Sequence, residues 1–271
     1  MGVEVKSREQ LREENLAKIS KFILMDDTYM TAFFSDQLEL TQFVLRIIMN
    51  MENLVVKSAI TQKPFKNIQG RSITLDVTAV DENGTQYDIE VQQESAGANP
   101  KRARYHSSML DSNALLPGDD FEKLPETYVI FITSKDYWKQ GLPLYTVDRY
   151  IKETNMTPFE DKAHIIYVNG EYTDDTPLGK LMHDFKCDEP TEMYYSNLAE
   201  RAHYLKDTEG GYDNMCKIME ESNREARKQE AYQIAMKLIR LGEISEDKIA
   251  KVTDLTLDDV KELAEIVKAG A

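Results

Sequence analysis

The chain has little of what crosslinks, clusters or membrane spans are made from. Its 271 residues include two cysteines, Cys187 and Cys216, too few and too isolated for a disulfide framework or a zinc cluster. No stretch approaches the ~20 apolar residues of a membrane-spanning helix. The apolar run from Phe43 to Met49 is short and contains Arg46. The start, MGVEVKSREQLREEN, is charged and lacks the apolar core of a signal peptide. These absences read as a soluble, cytoplasmic protein. No Walker loop, dinucleotide glycine fingerprint or Ser-His-Asp grouping is present either. Positive charge is also short, with 33 Lys and Arg against 48 Asp and Glu and a formal net charge of −15. Nonspecific DNA affinity comes mainly from Lys and Arg at phosphates, so tight passive DNA binding by the chain as a whole is disfavoured. A local basic strip, or cations neutralising an acidic pocket, is compatible with that balance.

What is present concentrates between Ile73 and Gln93, ITLDVTAVDENGTQYDIEVQQ. Ile73, Leu75, Val77 and Ala79 alternate with Thr74, Asp76, Thr78 and Val80. Tyr87, Ile89 and Val91 alternate with Asp88, Glu90 and Gln92. Both runs have the period of a half-buried strand. Asp-Glu-Asn-Gly between them suits a type I turn closed by Gly84 in the left-handed conformation. This loop sets Val80 opposite Gln86 and Asp76 opposite Glu90. Directly opposed side chains have Cβ atoms about 4.5–5.5 Å apart, and two carboxylates that close repel unless a cation lies between them. Mg²⁺ prefers oxygen ligands and often takes one or two carboxylates, so the hairpin reads as half of a metal site with Gln92 on the same face. The same pattern also describes an acidic hairpin that turns its polar face to water, and a one-residue slip would separate the two acids.

An Asp on one strand followed by Glu-x-Lys or a variant on the next resembles the active-site pattern of the PD-(D/E)XK nuclease superfamily; here the residues are Asp76 and Glu90-Val91-Gln92. The whole chain is similar to the bacterial PD-(D/E)XK nuclease-family transposases, or recombination-promoting nucleases. The likeness runs in order through DDTYMTAFF, ELTQFVLRIIM, NIQGRSITLDV, YDIEVQQ, NPKRARYHSSMLD, LPETYVIFIT, HIIYVNG, PLGKLMHDFKC and MYYSNLAERAHYLK, roughly residues 20 to 230. Leu75 rather than Pro precedes Asp76, and Gln92 stands where the superfamily has Lys. A lysine adds positive charge near the attacking water or the phosphate, whereas glutamine only orients through hydrogen bonds. The resemblance implies an α/β restriction-endonuclease-like mixed central sheet flanked by helices, and a metal-dependent DNA endonuclease. Mg²⁺, with Mn²⁺ able to substitute, would be held by Asp76, Glu90 and the Val91 carbonyl, with Gln92 orienting water or phosphate. Superfamily members often add an acid from an early helix. Asp27, Asp36 and Glu39 are the candidates, with helix capping the default for each.

The basic strip follows the hairpin. Lys101, Arg102 and Arg104 cluster at the start of a predicted helix over 99–113 and would hold flanking DNA backbone; the bland reading is a solvated face. Lys57, Lys63, Lys66 and Arg71 surround the preceding strand. Two histidines invite attention: His106, close after the basic cluster, and His183, read as structural.

Periodicity predicts helices over Arg8–Met25, after Asp26–Asp27 read as its cap, over Glu39–Met49, from Pro177 onward and over Tyr212–Leu241. Strands are predicted over Thr127–Thr133, a continuous apolar run suited to a buried central strand, and over Leu144–Tyr150 and Ala163–Val168. KDTEGGYDN reads as a joint, so residues 1–207 form the nuclease-like domain and 208–271 a helical C-terminal extension. Ser245 and Thr256 precede two short helices as N-caps. The second carries Asp258, Asp259, Glu262 and Glu265, which disfavours a major-groove recognition helix. Homodimerisation or partner binding suits this tail better. A catalytically inactive nuclease-fold protein that binds DNA or protein is the competing reading, favoured by Gln92 and the acidic balance.

Overall fold

The computed structural model describes residues 7–65 and 72–269. Lys66 and Arg71, expected near the basic strip, lie outside the described residues. Contacts divide the chain into two units, one of residues 7–65 and 73–215, the other beginning at Cys216.

In the first unit, α1 (Arg8–Ile19), α2 (Asp27–Phe34) and α3 (Leu38–Met49) precede β1 (Val56–Phe65), β2 (Ile73–Asp81) and β3 (Gln86–Gln92). Then come α4 (Pro100–Ala114), β4 (Thr127–Thr133), β5 (Leu144–Val147), the short pair β6 (Tyr150–Ile151) and β7 (Thr157–Pro158), and β8 (Ala163–Asn169). Helices α5 (Pro177–Lys186) and α6 (Ser196–Asp207) follow, and α7 (Glu209–Leu241) starts in this unit. Six strands form one mixed sheet in the order β1-β2-β3-β4-β8-β5. The β3, β4 and β8 ladders are parallel, while β1, β2 and β5 pair antiparallel. This is the mixed sheet flanked by helices that the α/β reading anticipated.

The hairpin forms in the anticipated register, Val80↔Gln86 through Val77↔Ile89. Gly84 has φ +87°, and Asp81 Oδ1 accepts from the amides of Asn83 and Thr85. Half-burial of β3 does not hold: Tyr87 to Val91 are all buried. As the third strand of six, β3 is covered on both faces, and α4 lies over the side that carries Asp88 and Glu90.

Local interactions move several helix ends. Helix α1 begins with a capping box between Ser7 and Gln10 but stops at Ile19, short of the expected Met25. The carbonyls of Ser20 and Phe22 instead accept from Lys206 Nζ at 3.0 and 2.7 Å, and Asp188 O accepts from the same ammonium. From the next turn of α6, Arg201 donates to the carbonyls of Ala32 and Phe33 at the end of α2. A cation there complements the negative end of the helix. Two α6 cations therefore fix the segment that delivers α2 to the sheet. Helix α7 starts at Glu209, earlier than expected, with Gly210 and Gly211 in its first turn. A Cβ on Gly211 would collide with the Tyr204 carbonyl, so only glycine allows α7 to begin that close to α6.

The second unit holds the rest of α7, α8 (Glu246–Thr253) and α9 (Leu257–Ala269). Ala235, Ile249, Val260 and Leu263 form its apolar centre. Thr256 and Asp259 cap α9 reciprocally, whereas Ser245 precedes α8 without a side-chain cap bond. Among the described residues, no helix is long and apolar enough to cross a membrane.

Candidate active site

The acids of the hairpin meet differently from the simple opposition of two carboxylates. Beyond Val77 the β2–β3 connection passes to side chains. The Asp76 amide donates to Glu90 Oε1 at 3.0 Å, and the Val91 amide donates to Asp76 Oδ2 at 3.2 Å. Each carboxylate thus takes a backbone donor from the opposite strand, which offsets part of their repulsion. Across from this point, Gln62 of β1 adopts φ +50°. Its carboxamide reaches Thr31 Oγ1 at 3.0 Å and lies 3.5 Å from Asp76 Oδ1.

A cleft of about 390 Å³ opens over these residues, lined by Asp26, Asp27, Asp76, Val91, Gln92 and Arg102 among others. Asp27 is the early-helix acid that enters it. Asp36 and Glu39 are not among its lining residues. Capping, the default for this region, does not describe its acids. Asp26 occupies the N-cap position of α2 but makes no cap bond. Its carboxylate accepts from the Ile23 amide at 2.8 Å and from Gln93 Nε2.

Burial pushes the carboxyls upward. Asp76 is held well above the ordinary carboxylate range by desolvation, then by the charges of Glu90 and Asp27. Glu90 is raised by desolvation and by Asp88, and Asp27 by desolvation, opposed by Arg102 and Gln62. Elevated carboxyls around one cleft are groups whose charged forms lack compensation. Hard oxygen donors of this kind fit a divalent cation such as Mg²⁺ or Mn²⁺. Asp27 and Asp76 reach the cleft directly. Glu90 is fully buried behind Arg102 and is not among the lining residues.

The three cations of α4 separate by direction. Asn99 caps the helix by accepting from the Lys101 and Arg102 amides. Lys101 and Arg104 are exposed. Arg102 turns inward: Nη2 donates to Glu90 Oε2 at 3.0 Å, and Nη1 donates to Gln92 Oε1 and Gly97 O, both at 3.2 Å. Its Nε donates to His106 Nε2 at 3.2 Å. An arginine N–H only donates, so the His106 ring proton sits on Nδ1. That atom lies 3.0 Å from Asp88 Oδ2. The same Nδ1 lies 3.7 Å from Glu90 Oε1. Burial raises Asp88 as it does Glu90, and Arg102, His106, Asp88 and Glu90 form one polar cluster. The sequence reading missed Asp88 and assigned His106 no role. Asp88 in the alternating strand, with a His four residues after an Arg on the following helix, was the available signal. Of the upstream cations, Lys57 Nζ donates to Glu82 O and Lys63 lies over the Phe65 ring. His183 is 3.1 Å from Asp184, whose carboxylate accepts the Tyr194 and Tyr195 amides, a loop-bracing arrangement.

Comparison with known proteins adds one match. The family model described as PD-(D/E)XK nuclease family transposase matches residues 36–240 of the chain. No curated protein and no solved structure gives a significant match.

Proposed function

We propose that this chain, which belongs to the PD-(D/E)XK nuclease transposase family, is a metal-dependent DNA endonuclease that hydrolyses phosphodiester bonds. The observation that carries the reading is Asp27 and Asp76 lining one cleft with Val91 and Gln92, with Glu90 bound to the Asp76 amide. Asp76, Glu90 and the Val91 carbonyl would hold Mg²⁺ or Mn²⁺, with Asp27 as a further carboxylate. Such an ion supplies Lewis acidity toward a phosphate oxygen and a more acidic bound water. Asp76 suits this task because its Oδ2 is fixed by the Val91 amide while, among the described residues, Oδ1 meets only the Gln62 carboxamide, at 3.5 Å. Gln92 positions the attacking water or the phosphate. Hydrolysis adds the hydroxyl of water to phosphorus, breaks one P–O ester bond and leaves the water proton on the departing oxygen. Lys101 and Arg104, exposed at the start of α4, take flanking phosphates, so the acidic chain needs only a short contact strip.

Residues 1–207 carry this chemistry and 208–271 form a helical extension that serves self-association. Exposed Leu241 and Val252 in that tail support the assignment, and light scattering on the purified protein tests it. The nuclease reading is tested by nicking of supercoiled plasmid with Mn²⁺. The wild type should cut and Asp76→Ala should not. Equal cutting by both would place the activity elsewhere.

A second reading has an observation of its own. Glu90 is buried and paired with Arg102, which suits a nuclease fold retained for binding alone. It requires no divalent-cation affinity at the hairpin, and calorimetric Mn²⁺ binding abolished by Asp76→Ala would rule it out.

A further inference from the structure

The cleft is built from acids, yet its ligand under the nuclease reading is a phosphate diester, itself an anion. Among the described residues that line the cleft one is cationic, Arg102. Four of its five N–H groups are taken by Glu90, Gln92, Gly97 and His106. The remaining hydrogen, on Nη2, has no partner among the described residues. The side chain is nevertheless 39 % exposed. Its guanidinium is also packed 6.0 Å from the centre of the Phe131 ring. A side chain tethered on four bonds, with one donor left and open to a cleft, is preorganised for an anionic oxygen.

We propose that Arg102 is a catalytic residue of this site: its guanidinium meets a non-bridging oxygen of the scissile phosphate, supplying the positive charge that Gln92 does not. The inference rests on the nuclease reading above. Arg102 Nη1 already binds the Gln92 oxygen, so the cation from α4 occupies the space a longer, charged side chain on β3 would enter. His106 and Asp88 are positioning residues. His106 accepts from Nε and donates its Nδ1–H to Asp88, fixing the plane of the guanidinium. In the absence of substrate the same guanidinium neutralises Glu90, so Arg102 and a divalent cation compete for that carboxylate.

Three variants decide the matter: Arg102→Gln, Arg102→Lys, and Arg102→Gln combined with Gln92→Lys. Plasmid nicking is read together with Mn²⁺ affinity by calorimetry and with thermal stability. Removing a preorganised donor at a developing charge lowers rates by roughly 100- to 1,000-fold, so Arg102→Gln should nick about 100-fold more slowly. Its Mn²⁺ affinity should be equal to or tighter than wild type, because a neutral group replaces a cation beside Glu90. Arg102→Lys should lie between the two. Restoring charge from the strand in the double variant should regain at least about tenfold over Arg102→Gln, a rescue that a merely structural role would not give. Nicking by Arg102→Gln within threefold of wild type would overturn the proposal and leave the nuclease reading standing. So would loss of Mn²⁺ binding in Arg102→Gln, or a double variant as slow as the single one. A wild type that binds Mn²⁺ but nicks no DNA would overturn both.

Discussion

Gly97 stands so close to Gln92 that a Cβ on it would overlap the Gln92 carboxamide oxygen. The Gly97 carbonyl also accepts from Arg102 Nη1, the same nitrogen that binds that oxygen. Gly97→Ala therefore pushes Gln92 and Arg102 apart without touching a carboxylate. Displacement of about 1 Å in a reacting site costs on the order of 100-fold. The expected result is a loss of plasmid nicking of that order with Mn²⁺ affinity within a few-fold of wild type. Unaltered nicking would show that the position of Gln92 is not needed.

The raised carboxyls set a pH dependence. Asp76, Asp88 and Glu90 hold protons more tightly folded than unfolded. Their contribution to stability is fully present below the unfolded values near ~4 and is lost as pH rises through the higher folded values. Metal-free protein should thus have a lower urea midpoint at pH 8 than at pH 5.5. Saturating Mn²⁺ should narrow that difference by stabilising the charged forms. A metal-free midpoint that increases over this range would contradict the shifts.

Asp88 is fully buried and its Oδ1 has no hydrogen-bond partner among the described residues. Asparagine at that position keeps an acceptor for His106, removes one buried negative charge and puts a donor in place of the orphaned Oδ1. Asp88→Asn should stabilise the metal-free protein at pH 8 by about 1–2 kcal/mol, since each orphaned buried polar group costs about that much. It should also flatten the pH dependence. Urea unfolding at two pH values measures both.

Lys206 binds the carbonyls of Ser20 and Phe22 after α1 and of Asp188 after α5, so Lys206→Met strands part-buried acceptors. A loss of about 2–4 kcal/mol is expected, lowering Tm by roughly 4–16 °C for a unit of this size. Differential scanning calorimetry checks it.

Much of the sheet was legible in sequence because strands carry a short, local period. Thr127–Thr133 forms β4 over the expected residues, and Gly84 closes the hairpin in the expected register. Helix ends were less legible. Nothing near Ile19 announces that Lys206, far along the chain, takes the next carbonyls. Capping rules likewise describe Asp26 and Asp27 only while their surroundings are unknown, because Gln93 and the cleft claim them from distant elements.

By itself the sequence determined the hairpin, its register, the succession of strands and helices, and the acids Asp76 and Glu90 on facing strands. These follow from side-chain alternation and turn chemistry, which act over a few residues. The tertiary structure alone decided which acids face the cleft and which are sealed away. It buried Glu90 by laying α4 across β3, delivered Asp27 from α2, and turned Arg102 inward while Lys101 and Arg104 remained in solvent. Burial, charge pairing and the direction of a side chain are properties of packed elements, and residues 14, 12 and 10 positions apart meet at this site only once the chain has folded.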